Sequence, residues 1–392
     1  MKASDFSDDA PGQLAPTIEK ALAFVPGPIP TDFGLEDSTI RRLARAAASV
    51  GRLQGMSSGS EFSPYLVSSP LLRREAILSS RIEGTITTPE RLLLLEADER
   101  DSGGEQQTAD HDTKEVANYV RAMEKGLDII RQEPLTLSVI KKLHEILLTD
   151  VRGERDRPGE FRESQNWIGN RADPIGEARF VPPPPIQMHA ALAALERYIN
   201  QEQTEESTPL LIQLAFIHYQ FEAIHPFRDG NGRIGRLMIP LLMCGHGRLD
   251  APMLYMSSYF ARHRDEYVDL LLAVSQRGSW TEWLNFFLLG VDTAAQEAVD
   301  RTVALVAKRQ EYRGRFQAEG ASARVIHLID RLFHTPVISI KHAANVLDTS
   351  HQTAAYSVHK LEDAGVLREA TGRSKNKLFV ADAVVRFMYD NP

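Results

Sequence analysis

The sequence has little cysteine, no excess of positive charge and no long apolar run. Its single cysteine, Cys244, excludes a disulfide within the chain and argues against a cysteine-rich zinc site. Cys244 lies in the apolar run LLMCG, so we expect a core thiol with a raised pKa rather than a nucleophile. The formal net charge of −8 argues against a basic nucleic-acid binder as a whole, although one small domain could still bind DNA.

Membrane-directed segments are also missing from the sequence. No segment approaches the ~20 apolar residues that span a bilayer, and Met1 is followed by KASDFSDDA without an apolar signal region. We therefore expect a soluble, cytoplasmic protein without a membrane partner. With 392 residues and 43% hydrophobic residues, the chain is long enough for two or three domains.

Apolar residues recur at helical spacing through most of the chain, which predicts a mainly α fold. The predicted helices lie near residues 35–55, 68–83, 114–131, 136–149, 186–201, 208–223, 232–246 and 264–277, with another from Thr88 and more within 280–317. Residues 1–34 are rich in Pro, Gly and Asp, which indicates an extended arm. The polar stretch 100–113 indicates a mobile loop, and ARFVPPPP predicts one edge strand of a short β-hairpin flap.

The pattern changes from about residue 321. Three short helical segments precede LREATGRSKNKLFV, which we interpret as two strands around a basic turn. This order is typical of a winged helix-turn-helix. We therefore predict an N-terminal arm and helical region over 1–112, a helical core over 113–318 and a winged-helix domain over 319–392.

The stretch HPFRDGNGRIGR, from His225 to Arg236, is the most informative part of the sequence. It joins the end of one apolar helix to the start of another. Gly230, Asn231 and Gly232 allow main-chain N–H groups to face a concavity, and the helix dipole adds positive potential there. The sequence therefore predicts a cradle for phosphate oxygens.

Charged residues complete this predicted cradle. Arg233 and Arg236 are three residues apart on one helix face and could neutralise further phosphates. Asp229 would be repelled by phosphate unless a divalent cation joined them, which indicates Mg²⁺. The remaining candidate, His225, has a side chain suited to removing a proton near neutral pH. Each residue type is common in turns and helix ends, and only their combination favours a phosphate site.

The same stretch resembles a known family. His225, Phe227, Asp229 and the run from Gly230 to Arg236 match every fixed position of the Fic-domain signature. The segments GEFRESQNWIG, ARFVPPPP, LYMSSYFARHRDEYVDLL and WTEWLNFFL are similar to bacterial Fic proteins that carry a C-terminal winged helix. The resemblance implies an all-α core that transfers AMP from ATP to a Ser, Thr or Tyr hydroxyl of a target protein or of the chain itself, with release of pyrophosphate.

The resemblance also implies a role for each matching position. His225 would be the base, and Asp229 would hold Mg²⁺. Asn231 and the neighbouring glycines would receive the α-phosphate region, and Arg233 and Arg236 would bind the β- and γ-phosphates. Removal of AMP by water would use the same residues, so the direction of the reaction stays open. The target protein is not readable from the sequence.

A second motif, SSRIEGT, resembles the inhibitory motif of the same family. Ser79 and Glu83 are four residues apart and share a helix face, and Gly84 follows. A helix docked on the cradle could aim Glu83 at Arg236, the arginine that the γ-phosphate needs. We therefore expect a low basal rate. Glu83 could instead position a water for AMP removal, or be a solvated residue at a helix end.

A target side chain must be brought to His225, and an exposed strand edge is the simplest device for this. We expect the segment around Ile175, Arg179, Phe180 and Val181 to be this target-docking flap. An ordinary hairpin without a ligand is the alternative.

The remaining assignments concern the adenine pocket and the oligomeric state. Tyr259 and Tyr267 follow the motif helix and could line the adenine pocket, although aromatic residues at this spacing also fill cores. A homodimer would agree with the family resemblance, but no sequence feature shows one.

The predicted wing carries Arg373, Lys375 and Lys377, which could contact DNA phosphates. Acidic residues nearby, such as Glu369, leave the domain only slightly basic, and winged helices also dock proteins. A DNA-binding transcription regulator that carries a Fic domain is therefore the alternative to an enzyme.

Overall fold

The structure is a computed structural model. It describes residues 1–30, 33–57, 64–102, 110–151, 157–169, 174–202, 204 and 207–389. The chain divides into a first unit, residues 1–54 and 118–296, and a second unit, residues 55–117 and 297–392. Most of the polar stretch predicted as a loop, residues 103–109, lies outside the described residues.

The mainly α fold is confirmed. The helices before the C-terminal region are α1 (Asp37–Ser57), α2 (Pro64–Ile82), α3 (Pro89–Ser102), α4 (His111–Ile130), α5 (Leu137–Leu147), α6 (Pro185–Ile199), α7 (Leu210–Ile224), α8 (Asn231–Gly245), α9 (Ser257–Arg262), α10 (Arg264–Arg277) and α11 (Trp280–Ala318). The helical spacing of apolar residues located all of them except α9. Six residues make α9 too short to show a helical period. Within the described residues, no helix is long and apolar enough to cross a membrane.

Two consecutive helices, α7 and α8, form the centre of the first unit. Thirteen residues of α7 are buried, because the helix is apolar on all sides. Trp283 of α11 is completely buried and donates its indole N–H to the Ala215 carbonyl of α7 at 2.9 Å. The loop between α7 and α8 therefore connects two helices that are packed in the core of the first unit.

The N-terminal arm contains a β-hairpin that the sequence analysis missed. Strands β1 (Gly12–Pro16) and β2 (Leu22–Pro26) pair antiparallel, with Leu14 opposite Phe24. Phe24 is completely buried, and its N–H donates to the Val181 carbonyl at 2.8 Å. Tertiary contacts thus order a segment whose proline and glycine content indicated an irregular arm.

The C-terminal part of the second unit contains α12 (Ala323–Leu332), β3 (Val337–Ser339), α13 (Ile340–Val346), α14 (His351–Asp363), β4 (Arg368–Glu369), β5 (Leu378–Val380) and α15 (Asp382–Tyr389). The strands form an antiparallel sheet in the order β3–β5–β4. Ser322, Ser339 and Ser350 cap the first three of these helices through their side chains. The three helices and the strand pair β4–β5 follow the predicted order, whereas β3 and α15 were not predicted.

Helix α3 packs against this sheet within the second unit. Leu93 and Ala97 join Val337, Leu378 and Val380 in one buried apolar cluster. A helix near the N-terminus and the C-terminal sheet therefore share a core.

Ion pairs reinforce this packing. Both terminal nitrogens of Arg373 donate to Asp98 of α3, at 2.6 and 2.8 Å. Arg368 of β4 pairs with Glu90 of α3 at 2.8 Å and with Asp382 at 2.7 Å. One of the three wing cations predicted to contact DNA, Arg373, is therefore engaged by a carboxylate of its own chain.

Candidate active site

The loop between α7 and α8 has a sharply defined backbone. His225 ends α7 in a left-handed conformation, with φ 47° and ψ 62°. Gly230 precedes α8 and is also left-handed, with φ 77°. A left-handed conformation is strained for a histidine but not for a glycine. Other groups must therefore hold His225 in place.

Buried donors bind the carbonyl groups of this loop from inside the protein. Arg162 Nε donates to the His225 carbonyl at 3.0 Å, and the Arg162 N–H donates to the Pro226 carbonyl at 2.9 Å. The Phe227 carbonyl accepts from Asn231 Nδ2 at 2.9 Å and from Asn166 Nδ2 at 3.0 Å. The carbonyls of His225, Pro226 and Phe227 are thus satisfied on the protein side.

His144 of α5 supports the next residue of the loop. Its Nδ1 accepts from the Gly159 N–H at 2.9 Å, which leaves the proton on Nε2 for the Asp229 carbonyl at 3.0 Å. The ring stacks on Phe227 with a centroid separation of 3.7 Å. Burial lowers the pKa of His144 to about 4, so the ring is neutral at physiological pH.

The start of α8 supplies the predicted cradle. The first hydrogen bond within this helix runs from the Ile234 N–H to the Gly230 carbonyl at 3.0 Å, and the amides of Asn231 and Gly232 precede it. Arg233 lies in the first turn of α8 and Arg236 in the second, with 3% and 2% exposure. Amides at a helix N-terminus and two buried guanidinium groups form an environment that favours phosphate.

Asp229 is the candidate ligand for Mg²⁺. Its carboxylate is 37% exposed and lies 3.5 Å from Arg233 Nη2. Within the described residues, no group of three or more His, Cys, Asp or Glu could hold a metal by itself. Protein-bound Mg²⁺ commonly uses one or two carboxylates together with water and substrate phosphates. A single accessible carboxylate beside the cradle therefore fits the ion.

The side chain of Asn231 is used differently from the expectation. Its Oδ1 accepts from the Phe227 N–H at 2.8 Å while its Nδ2 donates to the Phe227 carbonyl. The side chain is 2% exposed. Asn231 can therefore contribute its main-chain N–H to a phosphate, whereas its amide group fixes the loop.

The predicted docking flap is only partly open. Phe180 and Ile168 exchange two main-chain hydrogen bonds, at 2.8 and 3.2 Å. The Val181 carbonyl accepts from Phe24, as described above. The main-chain groups of Phe180 and the carbonyl of Val181 are thus already used by Ile168 and Phe24. Contact of Phe180 and Val181 with a target stays a prediction.

The rest of the flap is arranged as follows. Ile175 is half-buried in a 3₁₀ turn, Ile175–Glu177, and Arg179 is exposed and pairs with Asp269. Residues 170–173 of this segment lie outside the described part of the chain. Contact of Ile175 and Arg179 with a target stays a prediction.

Tyr259 and Tyr267 are buried, each with 4% exposure. The Tyr267 hydroxyl lies 2.7 Å from Nε2 of the completely buried ring of His218, whose Nδ1 lies 3.2 Å from the Gly235 carbonyl. The carbonyl can only accept, so His218 donates from Nδ1 and accepts from Tyr267. Both tyrosines belong to an aromatic cluster with Phe260, and their role at the adenine ring stays a prediction.

The predicted inhibitory residues lie in the second unit. Ser79 is buried within α2, and Glu83 is exposed in the turn that follows this helix. Gly84 has φ 90°, a left-handed conformation that favours glycine. The Thr85 N–H donates to the Ser80 carbonyl at 3.0 Å and closes the turn.

The sequence analysis missed two residues that hold the loop, His144 and Arg162. GEFRESQNWIG contributed to the family resemblance, but no local pattern distinguishes its arginine from a surface arginine. His144 occurs on an ordinary amphipathic helix. Arg162 and His225 are 63 residues apart in the chain, and His144 and Asp229 are 85 residues apart. Asn166 and Phe227 are 61 residues apart. Only the fold therefore reveals these contacts.

Comparison with known proteins places these residues in a family. The family model described as Fic/DOC matches residues 134–243, and the model described as Fic/DOC N-terminal matches residues 40–128. Protein adenylyltransferase Fic of Drosophila persimilis is 30% identical over 134 residues, which is 34% of this chain and 24% of that protein. The Drosophila grimshawi protein of the same name is 31% identical over 134 residues, which is 34% of this chain and 25% of that protein. The chain thus spans about a quarter of the length of these relatives.

Solved structures show the same fold. A Fic family protein from Desulfovibrio desulfuricans G20 superposes with a TM-score of 0.54 at 20% identity, over 90% of this chain and 98% of that chain. A Fic-1 fragment from C. elegans gives a TM-score of 0.50 at 18% identity, over 68% of this chain and 74% of that chain. The two family models together extend from α1 into α8, and the Fic/DOC model contains the complete loop from His225 to Arg236, so the chain belongs to the Fic/DOC family.

Proposed function

We propose that the chain is a protein adenylyltransferase, which transfers AMP from ATP to a hydroxyl side chain of a target protein or of itself. The main observation in favour is the loop from His225 to Gly230. The carbonyls of His225, Pro226, Phe227 and Asp229 are bonded on the protein side, and the first amides of α8 and the buried Arg233 and Arg236 would favour an anion. The curated relatives that share this region are named protein adenylyltransferases.

The proposed reaction is an in-line substitution at the α-phosphorus of ATP. His225 takes the proton of the target hydroxyl, and the oxygen forms a bond to the α-phosphorus. The bond from that phosphorus to the oxygen bridging to the β-phosphate breaks, and pyrophosphate leaves. Arg233 and Arg236 would neutralise its charge. Asp229 would hold Mg²⁺, which supplies further neutralisation of the phosphates when bound.

The proposal includes an inhibitory role for Glu83. A carboxylate paired with Arg236 would occupy the arginine required by the γ-phosphate, and ATP would bind in an unproductive position. The motif from Ser79 to Gly84 supports this role. Replacement of Glu83 by glycine removes the carboxylate and should therefore raise the rate of transfer.

We also propose how the target is held. Successive residues of a strand direct their main-chain groups to opposite edges. Because Ile168 is paired with Phe180, the main-chain groups of the neighbouring Trp167 would face the other edge. An extended target segment would pair along that edge, and the side chains of Ile175 and Arg179 would contact its flanks.

The test uses α-labelled ATP, Mg²⁺ and cell lysate, with wild type, Glu83→Gly, His225→Ala and the double variant. We expect strong labelling of protein by Glu83→Gly, weak labelling by wild type and none without His225. Binding of ATP to His225→Ala should persist, since the phosphate site remains. Absence of labelling with Glu83→Gly would contradict the proposal.

A parallel assay distinguishes addition from removal of AMP. Proteins labelled beforehand are incubated with wild type and with Glu83→Gly in the absence of ATP. Release of label by wild type, lost on replacement of Glu83, would identify a hydrolase in which Glu83 positions the water. Retention of label would leave adenylyl transfer as the activity of the site.

A further inference from the structure

Arg162 is a buried arginine beside the catalytic loop, outside the residues of the signature. It is 1% exposed. Its Nε donates to His225 O at 3.0 Å, its Nη1 donates to Ser164 O at 3.2 Å, and its Nη2 donates to Ile224 O at 3.4 Å and to Pro183 O. Its own N–H binds the Pro226 carbonyl at 2.9 Å. Arg162 therefore donates to the carbonyls of three consecutive residues, Ile224, His225 and Pro226, where α7 ends and the loop begins.

The acceptors of this guanidinium are main-chain carbonyl groups. A buried cation is expensive unless its donors are satisfied, and four carbonyl oxygens arranged around a planar fork provide this. Burial lowers the pKa of Arg162 to about 10, so the group is still protonated at neutral pH. A lysine has a single ammonium group and cannot reach the same set of oxygens.

The contacts of Arg162 coincide with the strained point of the loop. His225 is left-handed, a conformation that is strained for a residue with a Cβ. The carbonyls before, at and after this point are all bound by Arg162. The same guanidinium binds Pro183, at the end of the flap segment. Arg162 therefore fixes His225 relative to the segment that would carry the target.

We propose that Arg162 is a positioning residue for proton transfer, which keeps the imidazole of His225 in line with the target hydroxyl. This inference rests on the proposed adenylyl transfer. Arg162 has no part in the phosphate cradle, which is built from α8. Its loss should therefore lower the rate of transfer at saturating ATP without changing the affinity for ATP.

The experiment compares Arg162→Lys and Arg162→Ala in the Glu83→Gly background, with Arg157→Lys as the control. Arg157 lies on the same segment, but its side chain is 51% exposed and pairs with Glu163. We expect the rate at saturating ATP to fall about a hundredfold in both Arg162 variants, the size expected for a misplaced catalytic group. The ATP concentration for half-maximal rate and the affinity for ATP should remain those of the parent.

Chemical rescue separates positioning from a general loss of structure. Added guanidinium should restore part of the rate of Arg162→Ala, because it can occupy the vacated fork site, whereas ammonium at the same concentration should not. The Arg157→Lys control should match the parent with either additive.

The outcomes are distinguishable. If the Glu83→Gly parent labels no protein, the proposed function fails and the inference fails with it. If the parent labels protein and Arg162→Lys does so at the same rate, the inference alone is overturned. It is also overturned if both Arg162 variants unfold by circular dichroism or lose ATP affinity in proportion to rate, because Arg162 would then support the fold as a whole.

Discussion

Asn231 and Phe227 exchange two hydrogen bonds, from the Phe227 N–H to Asn231 Oδ1 at 2.8 Å and from Asn231 Nδ2 to the Phe227 carbonyl at 2.9 Å. The side chain of Asn231 thus closes the loop between α7 and α8 on itself. The Phe227 carbonyl has a second donor, Asn166 Nδ2 at 3.0 Å. The Phe227 N–H depends on Asn231.

This difference predicts unequal effects of two alanine substitutions. Asn231→Ala leaves the buried N–H of Phe227 without its acceptor and should lower the free energy of unfolding by about 1–3 kcal/mol. Asn166→Ala should have a smaller effect, because the Phe227 carbonyl keeps Asn231. Denaturant unfolding of both variants measures the difference. Equal losses of stability would contradict the assigned role of Asn231.

Gly235 lies where α8 crosses α7 closely. A Cβ at this position would overlap the Glu222 carboxylate and lie 3.3 Å from Phe221 Cδ1. Gly245→Ala is the matched control on the same helix, since its nearest neighbour would be Ile130 at 3.9 Å. Both alanine substitutions on this helix gain helix propensity, but Phe221 and the end of the Glu222 side chain must shift for Gly235→Ala. We therefore expect Gly235→Ala to be less stable than Gly245→Ala by about 1 kcal/mol, the lower end of the cost of overpacking. Thermal unfolding should show a lower midpoint for the first substitution than for the second.

His218 predicts a pH dependence of stability. Burial lowers its pKa from 6.5 to about 3, so the folded state favours the neutral ring. Its contribution is fully present above pH 6.5 and is lost as the pH falls from 6.5 toward 3, by up to about 1.4 kcal/mol per pH unit. His218→Gln should therefore flatten the decline of unfolding free energy between about pH 6.5 and pH 4.5.

Tyr267→Phe is the control for this titration. It removes the O–H that His218 Nε2 accepts and should lower stability by about 1–3 kcal/mol without removing the titrating ring. Its stability should decline with acidification as steeply as that of wild type. A decline in His218→Gln equal to that of wild type would show that His218 does not contribute.

The ion pair between Arg373 and Asp98 predicts competition with polyanions at the wing. Asp98→Asn removes the carboxylate charge, so Arg373 becomes available to phosphate. If the wing binds DNA, this substitution should increase affinity for duplex DNA and steepen the salt dependence by about one charge. Fluorescence anisotropy at several salt concentrations measures both quantities. DNA contact by Arg373 would be contradicted if Asp98→Asn bound duplex DNA with the affinity of wild type. The double variant Asp98→Asn/Arg373→Gln would then also have the affinity of Asp98→Asn.

Local sequence determined most of the helices. The apolar spacing of α7 and α8 and the glycines between them predicted a loop that leads into a helix N-terminus. Such signals act within a few residues and are visible in one sequence. The predicted cradle residues Gly230, Arg233 and Arg236 follow from the same local order.

Other elements lacked a local signal in the sequence, because they are short or because distant residues order them. Strand β3 has three residues and is followed at once by α13. Ile338 and Ser339 were therefore included in the predicted helical segment ISIKHAANVLD. The N-terminal hairpin is ordered by contacts of Phe24 with Phe180 and Val181. Pairing across more than 150 residues leaves no periodic trace in the sequence.

The sequence by itself determined which chemical groups surround the proposed phosphate site, because the motif from His225 to Arg236 is contiguous and its helix boundaries are local. The tertiary structure decided what holds those groups in place. His144 and Arg162 belong to segments distant in sequence, and the hydrogen bonds that they donate go to main-chain carbonyls, which carry no residue identity. Side-chain to main-chain contacts of this kind can be located only once the chain has folded.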